Sequence, residues 1–136
     1  MKLNAYLMFS GQCEEAFRFY EKCLGGKIGF RITYGESPMA DKTAADWRKK
    51  IMHTRLVVGD QVLMGSDAPP DRFDQPQGFS MSIGVDDPDE AERIFKALAE
   101  KGNVKMPIQE TFWARRFGML VDRFGTPWMI NCEKAD

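Results

Sequence analysis

The chain repeats itself, and that repeat limits what it can fold into. Read for hydrophobic period, it runs strand, helix, three strands, a connector, then strand, helix, three strands again. Leu3 to Phe9 reads as the first strand, and EEAFRFYEKCLGG as the first helix, with Ala16, Phe17, Phe19, Tyr20, Cys23 and Leu24 at helical spacing and Gly25-Gly26 as its stop. KIGFRITYG reads as a strand, ESPMADKTAADW as a loop with one helical turn near Ala44 to Arg48, and KIMHTRLVVGDQVLMGSD as a hairpin turning at Gly59-Asp60. The proline-rich connector is APPDRFDQPQG, residues 68–78. After it come the strand FSMSIGV, a helix over DDPDEAERIFKALAEKG with Pro88 near its start and Gly102 as its stop, a strand broken by Pro107, and a second hairpin turning at Phe124-Gly125-Thr126. HTRLVVGDQVLMGS lies over GMLVDRFGTPWMIN with Gly59 and Gly125 in register, so the repeats are 1–67 and 79–136.

Composition narrows the class. With 136 residues the chain is the size of one ordinary domain and buries a core without disulfide staples. Hydrophobic residues at 43% and charged residues at 29% describe a soluble globular protein. A net charge of -1 argues against a general nucleic-acid partner. No apolar run reaches the roughly 18 residues a membrane span needs, and the N-terminus shows no signal-peptide pattern. Cys13, Cys23 and Cys132 form no CxxC spacing, which suggests reduced, partly buried thiols in a cytoplasmic protein. Neither GxGxxG nor GxxxxGK[ST] is present, so no nucleotide cofactor is expected.

QETFWARRFG followed by DRFGTPWMIN, together with EEAFRFYEKCLGG, His53 and MGSDAPP, resembles the PhnB-like branch of the vicinal oxygen chelate superfamily, the glyoxalase/bleomycin-resistance fold. The resemblance covers essentially the whole chain. With the repeat, it implies one α+β domain: two tandem βαβββ modules forming a cupped eight-stranded sheet around a central cleft, helices outside. It also implies a homodimer. Some relatives carry methyltransferase-like names, but no glycine-rich loop follows a strand here in a doubly wound pattern.

Metal-dependent members place ligands on the first and last strand of each repeat. Carried over by motif, those positions fall on Ala5, Met64, Ser80 and Met129, with one residue of play. Alanine cannot coordinate, serine hydroxyls are poor ligands, and thioethers suit soft ions, so no metal is expected. His53, the only histidine, and Glu110 are the acid–base candidates. Glu110 among Phe112, Trp113 and Phe117 would have a raised pKa, or else would pair with Arg115 or Arg116. Arg115 and Arg116, on adjacent strand positions, should point to opposite faces, one of them toward a ligand. Most of Phe112, Trp113, Phe117, Phe124 and Trp128 should be core. Met8, Met64, Met81 and Met129 would line a soft cleft. Asp67 is by default a turn cap. The ligand-binding candidates are thus Tyr6, Met8, Met64, Asp67, Glu110, Trp113, Arg115 and Met129, for a metal-free small-molecule binding protein. The alternative is an isomerase, lyase or oxygenase acting on a small carbonyl or anionic metabolite.

Overall fold

The computed structural model describes residues 1–134. The chain divides into two compact units, Met1–Asp74 and Gln75–Asp136, so the division falls inside the proline-rich connector. Each unit is one βαβββ module, and the fold class is α+β with the modules in tandem. The eight strands are hydrogen-bonded as two four-stranded sheets.

The first module comprises β1 (Ala5–Phe9), α1 (Cys13–Leu24), β2 (Lys27–Thr33), β3 (Ile51–Val58) and β4 (Gln61–Asp67). Its sheet order is β1-β4-β3-β2, with β1 parallel to β4 and the other pairs antiparallel. The helix lies on one face because the strands alternate. Leu7, Phe9, Leu56 and Leu63 are buried with Phe17 and Tyr20 of α1, while Tyr6, Met8 and Arg55 point the other way. Burying side chains of this size stabilises by about 1.5–3 kcal/mol each. Gly65 lets the helix approach: a Cβ there would stand 2.6 Å from Phe17 Cε1 and 2.9 Å from the Leu7 carbonyl oxygen.

The second module comprises β5 (Met81–Gly84), α2 (Pro88–Ala99), β6 (Asn103–Gln109), β7 (Ala114–Val121) and β8 (Pro127–Glu133), in sheet order β5-β8-β7-β6. Its helix-facing side holds Trp128, Ile130 and Leu120 with Ile94, Phe95 and Leu98. Gly118 plays the part of Gly65, since a Cβ there would meet Phe95 Cε2 at 2.6 Å.

The two helices start differently. At α2, Asp87 caps its own helix by accepting from the Asp89 N–H, and Pro88 follows at the first position. At α1, Gln12 makes no side-chain cap. The cap is instead the carboxylate of Asp67, at the far end of β4. Its Oδ1 accepts from the Gly11 and Cys13 N–H groups at 2.8 and 3.0 Å. Its Oδ2 accepts from the Ile51 N–H at 2.9 Å.

Some sequence expectations change. The first strand begins at Ala5 rather than Leu3. Pro107 does not break its strand; β6 is an edge strand, where a missing N–H is tolerated, and register shifts flank Met106. Nor does Gly102 supply the left-handed stop of α2, which falls on Lys101 at φ 59. Gly102 is needed for space, because a Cβ there would stand 2.6 Å from the Val121 carbonyl oxygen. The loop expected to hold one helical turn holds two short 3-10 turns, Ala40–Lys42 and Ala45–Trp47.

Candidate functional site

In each module the helix covers one side of the sheet, and the candidate residues of the strands divide between that side and the other. On the first module the register sets a row across the strands: Tyr6 beside Met64, Met64 beside Arg55, Arg55 beside Phe30. Met8 lies beside Ser66, with its Sδ 3.5 Å from the serine Oγ. Tyr6, Met8 and Phe30 are 44%, 40% and 48% exposed, unusual for side chains of their size in a sheet.

His53 lies on this side, two residues before Arg55 on β3. Tyr6 Oη and His53 Nδ1 are 3.0 Å apart, and the two rings stack at 5.7 Å between centroids. Phe30 stands 5.9 Å from the same imidazole. The pair shares one proton. If the phenol donates, the neutral imidazole keeps its N–H on Nε2; if the imidazole donates, the phenol keeps its O–H. Either arrangement leaves one donor free. Arg55 has no carboxylate partner among the described residues. Strands β1 to β4 hold one carboxylate between them, Asp67, which is buried and engaged by three backbone N–H groups.

The second module's open side differs. Ser82 lies beside Met129, Met129 beside Met119, and Met119 beside Met106. Gly84, Asn131, Phe117 and Gln109 make the next row. Asn131 Oδ1 is sealed from solvent without a hydrogen-bond partner among the described residues.

The expected site residues divide accordingly. The structure brings Tyr6, Met8, Met64 and His53 together on one sheet side, and it places Met129 at the matching position of the second module. Asp67 is withdrawn from any ligand: it is fully buried, holds the α1 and β3 starts together, and its carbonyl oxygen accepts from Tyr34 Oη at 2.7 Å. Glu110 is not lodged among rings. It is exposed, and its charged partner is Lys134 at 3.8 Å rather than Arg115 or Arg116. Arg115 donates to the Glu133 and Asp86 carbonyl oxygens at 2.9 and 2.6 Å, so it staples strand ends together. Arg116 pairs with Glu92 of α2 at 2.9 Å. Trp113 and Phe112 lie outside the core, 46% and 88% exposed, packed edge-to-face at 4.8 Å, while Trp128 is fully buried. Met81 is opposite Trp128 on the helix-facing side, not the open side.

Arg55 was missed by sequence reasoning. Its signal was its two-residue spacing from His53 in an alternating strand. Three cysteines are buried and free. Burial, then the nearby Asp67 carboxylate, holds the Cys13 thiol well above its ordinary pKa. Burial also raises the Tyr34 phenol, followed by Asp67.

The superfamily's divalent ion does not fit these residues. The side chain beside Met64 is Tyr6, not Ala5. The one beside Met129 is Ser82, two residues beyond the expected Ser80. A thioether beside a phenol in the first module, and a thioether beside a hydroxyl in the second, are each poor donors for a hard or borderline cation.

Residues 1–131 match the family described as 3-demethylubiquinone-9 3-methyltransferase. The chain is 34% identical over 142 residues to Protein YjdN of Escherichia coli (strain K12), covering 98% of this chain and 97% of that protein. Among solved structures, protein PA1353 of Pseudomonas aeruginosa aligns with a TM-score of 0.90 at 48% identity, over 99% of both chains. A putative 3-demethylubiquinone-9 3-methyltransferase, PhnB protein, from Bacillus cereus aligns at 0.82 with 24% identity, covering 97% of this chain and 99% of that one. The fold is shared more widely, as with a glyoxylase/bleomycin resistance protein/dioxygenase domain from Frankia sp. EAN1pec, at TM-score 0.66 and 14% identity over 98% of each chain. Repeat, topology and match together establish that this chain belongs to the family described as 3-demethylubiquinone-9 3-methyltransferase, and that it has the fold of glyoxalase/bleomycin-resistance domains.

Proposed function

We propose that the protein binds a small amphipathic anion, without a metal, on the open side of its first sheet. The observation that carries the reading is the Tyr6–His53 hydrogen bond on a sheet side that also holds Arg55 and no free carboxylate. The pair's remaining N–H or O–H and the Arg55 guanidinium are donors suited to a carboxylate or enolate oxygen. Met8, Met64 and Phe30 offer the apolar part of the ligand a soft, ring-bearing surface.

Titration with phenylacetate and with neutral 2-phenylethanol tests it. Phenylacetate should raise the melting temperature and move the His53 ring resonances saturably, with the alcohol much weaker. Arg55→Ala and Tyr6→Phe should each weaken phenylacetate by about tenfold, the effect of removing one hydrogen bond to a charged group. Equal binding of the alcohol, or variants without effect, would overturn the reading.

A second reading rests on the same hydrogen bond. A tyrosine–histidine pair can take a proton from a bound substrate, which makes an isomerase or lyase the catalytic alternative. Exchange of a ligand's acidic C–H for deuterium, lost in His53→Ala, would favour it over simple binding. The family resemblance adds a homodimer to either reading; sedimentation velocity of the whole chain tests that.

A further inference from the structure

Tyr6 and His53 come from strands that are not neighbours, since β4 lies between β1 and β3, yet Tyr6 Oη and His53 Nδ1 stand 3.0 Å apart. How many protons the pair holds decides what it offers a ligand. The neutral pair has two. One fills the shared bond and the other points outward, so the pair presents one donor and one acceptor. A third proton makes the imidazole a cation whose ring nitrogens both donate. Nδ1–H then fills the shared bond, and Nε2–H and the phenol O–H are both left for a ligand. One added proton thus turns a mixed face into two donors and a positive charge.

The surroundings of the imidazole leave that charge unbalanced. β1 brings Tyr6, and β2 brings the Phe30 ring at 5.9 Å and Ile32, opposite His53 in the register. β4 adds the neutral Met64 and Ser66 to this side. On β3 itself Arg55 is a second cation, two residues on. The nearby acids are engaged elsewhere. Asp67 accepts from three backbone N–H groups, one of them that of Ile51, two residues before His53. Glu14 of α1, on the helix side, pairs with Arg31 of β2 at 2.9 Å. Glu36 accepts from the Thr33 N–H and hydroxyl. Lys50, just before β3, donates to the Gly11 carbonyl oxygen.

We propose that anion binding at this site is coupled to proton uptake by the Tyr6–His53 pair, so that the ligand is held on an imidazolium and released as pH rises. This rests on the anion-binding reading of the same site. A carboxylate there faces Arg55 and the imidazolium at once, and charge-assisted hydrogen bonds are the stronger kind. The proton comes from solvent and returns to it on release; no bond of the ligand forms or breaks. Imidazole is the side chain that changes charge between about pH 5 and about pH 8, and His53 is the chain's one histidine. Affinity is therefore greatest on the acid side and falls as pH rises, by at most about tenfold per pH unit.

Isothermal titration of the whole chain with phenylacetate tests the coupling. The ligand stays ionised throughout, because carboxyl groups titrate near about pH 4. Its Kd should rise by roughly tenfold between about pH 5.5 and about pH 8, the worth of one hydrogen bond to a charged group. Near the middle of that change, the difference in heat between phosphate and Bis-Tris buffers should report uptake of roughly half a proton per ligand. His53→Gln keeps a donor and an acceptor but cannot titrate; it should bind with a flat pH profile and no uptake. Tyr6→Phe should bind more weakly and keep the uptake. Should His53→Gln fail to fold, the parent's His53 ring resonances decide: saturating phenylacetate should move their titration midpoint upward by about one pH unit. Uptake retained in His53→Gln, which would point to the Met1 amino group, overturns the coupling. So does binding that Arg55→Ala weakens but that carries no proton and no pH slope, an outcome that leaves the anion reading standing. Absence of phenylacetate binding at every pH overturns both.

Discussion

The two modules share one scaffold and differ in what they present. On the side that meets the helix they are near copies: a glycine, Gly65 or Gly118, sits under a phenylalanine ring, Phe17 or Phe95, at a distance no side chain could occupy. On the other side the rows diverge. The first reads Tyr6, Met64, Arg55, Phe30; the second reads Ser82, Met129, Met119, Met106. Helix packing constrains the first set because close-packed interiors punish changes of even one methylene. The open side carries no such constraint, so hydrogen-bonding and charged groups could collect on one copy and thioethers on the other. The comparison teaches that the two copies stay alike where they support the fold and have separated on the side away from the helix.

The largest expected difference between the modules concerns their buried carboxylates. Asp67 joins segments 54 and 56 residues away in sequence to a third that is 16 away. Asp122 works within one turn, accepting from the Phe124 and Thr126 N–H groups and from Trp128 Nε1. Asp67→Ala should lower stability by about 4 kcal/mol and Asp122→Ala by about 2 kcal/mol, since a local turn can rearrange around its loss. Urea denaturation of both variants decides; equal losses would erase this distinction between long-range and local ties.

Next in size are the two glycines. Gly65→Val and Gly118→Val should each cost about 2–3 kcal/mol by overpacking against Phe17 and Phe95. Matching losses would sharpen the equivalence of the helix-facing sides, while a neutral result at either position would break it.

The smallest effect is alkaline and confined to the first module, which holds all three tyrosines. Burial, and secondly Asp67, raises the Tyr34 phenol above its ordinary value of 10.0. The folded state therefore holds that proton more tightly than the unfolded chain. Its contribution is fully present below about pH 10 and is lost as pH rises through the raised pKa. Stability measured against pH should fall less steeply above that point in Tyr34→Phe than in the parent; parallel curves would remove Tyr34 from the account.

Much of the fold was legible because it rests on period and punctuation. Alternating strands, two amphipathic helices and turn glycines are local signals, and the repeat of the hairpin motif gave the topology. The site was less legible because its parts depend on register. Ala5 and Tyr6 differ by one residue, and strand alternation sends them to opposite sides. Asp67 looked like a turn cap and is a helix cap, but for a helix that begins more than fifty residues earlier. Arg115 and Glu110 sit in a stretch dense with rings and charges, which suggested a site. Their actual partners, the Glu133 and Asp86 carbonyl oxygens and Lys134, come from distant positions that no spacing reveals.

The Asp67 carboxylate also reaches its partners late in synthesis. The start of α1 emerges from the ribosome long before its cap exists, because the capping oxygen belongs to the last residue of β4. Until that residue arrives, the two N–H groups it will receive have only water for company. The start of α1 therefore gains this cap only once the last strand of its module has been made.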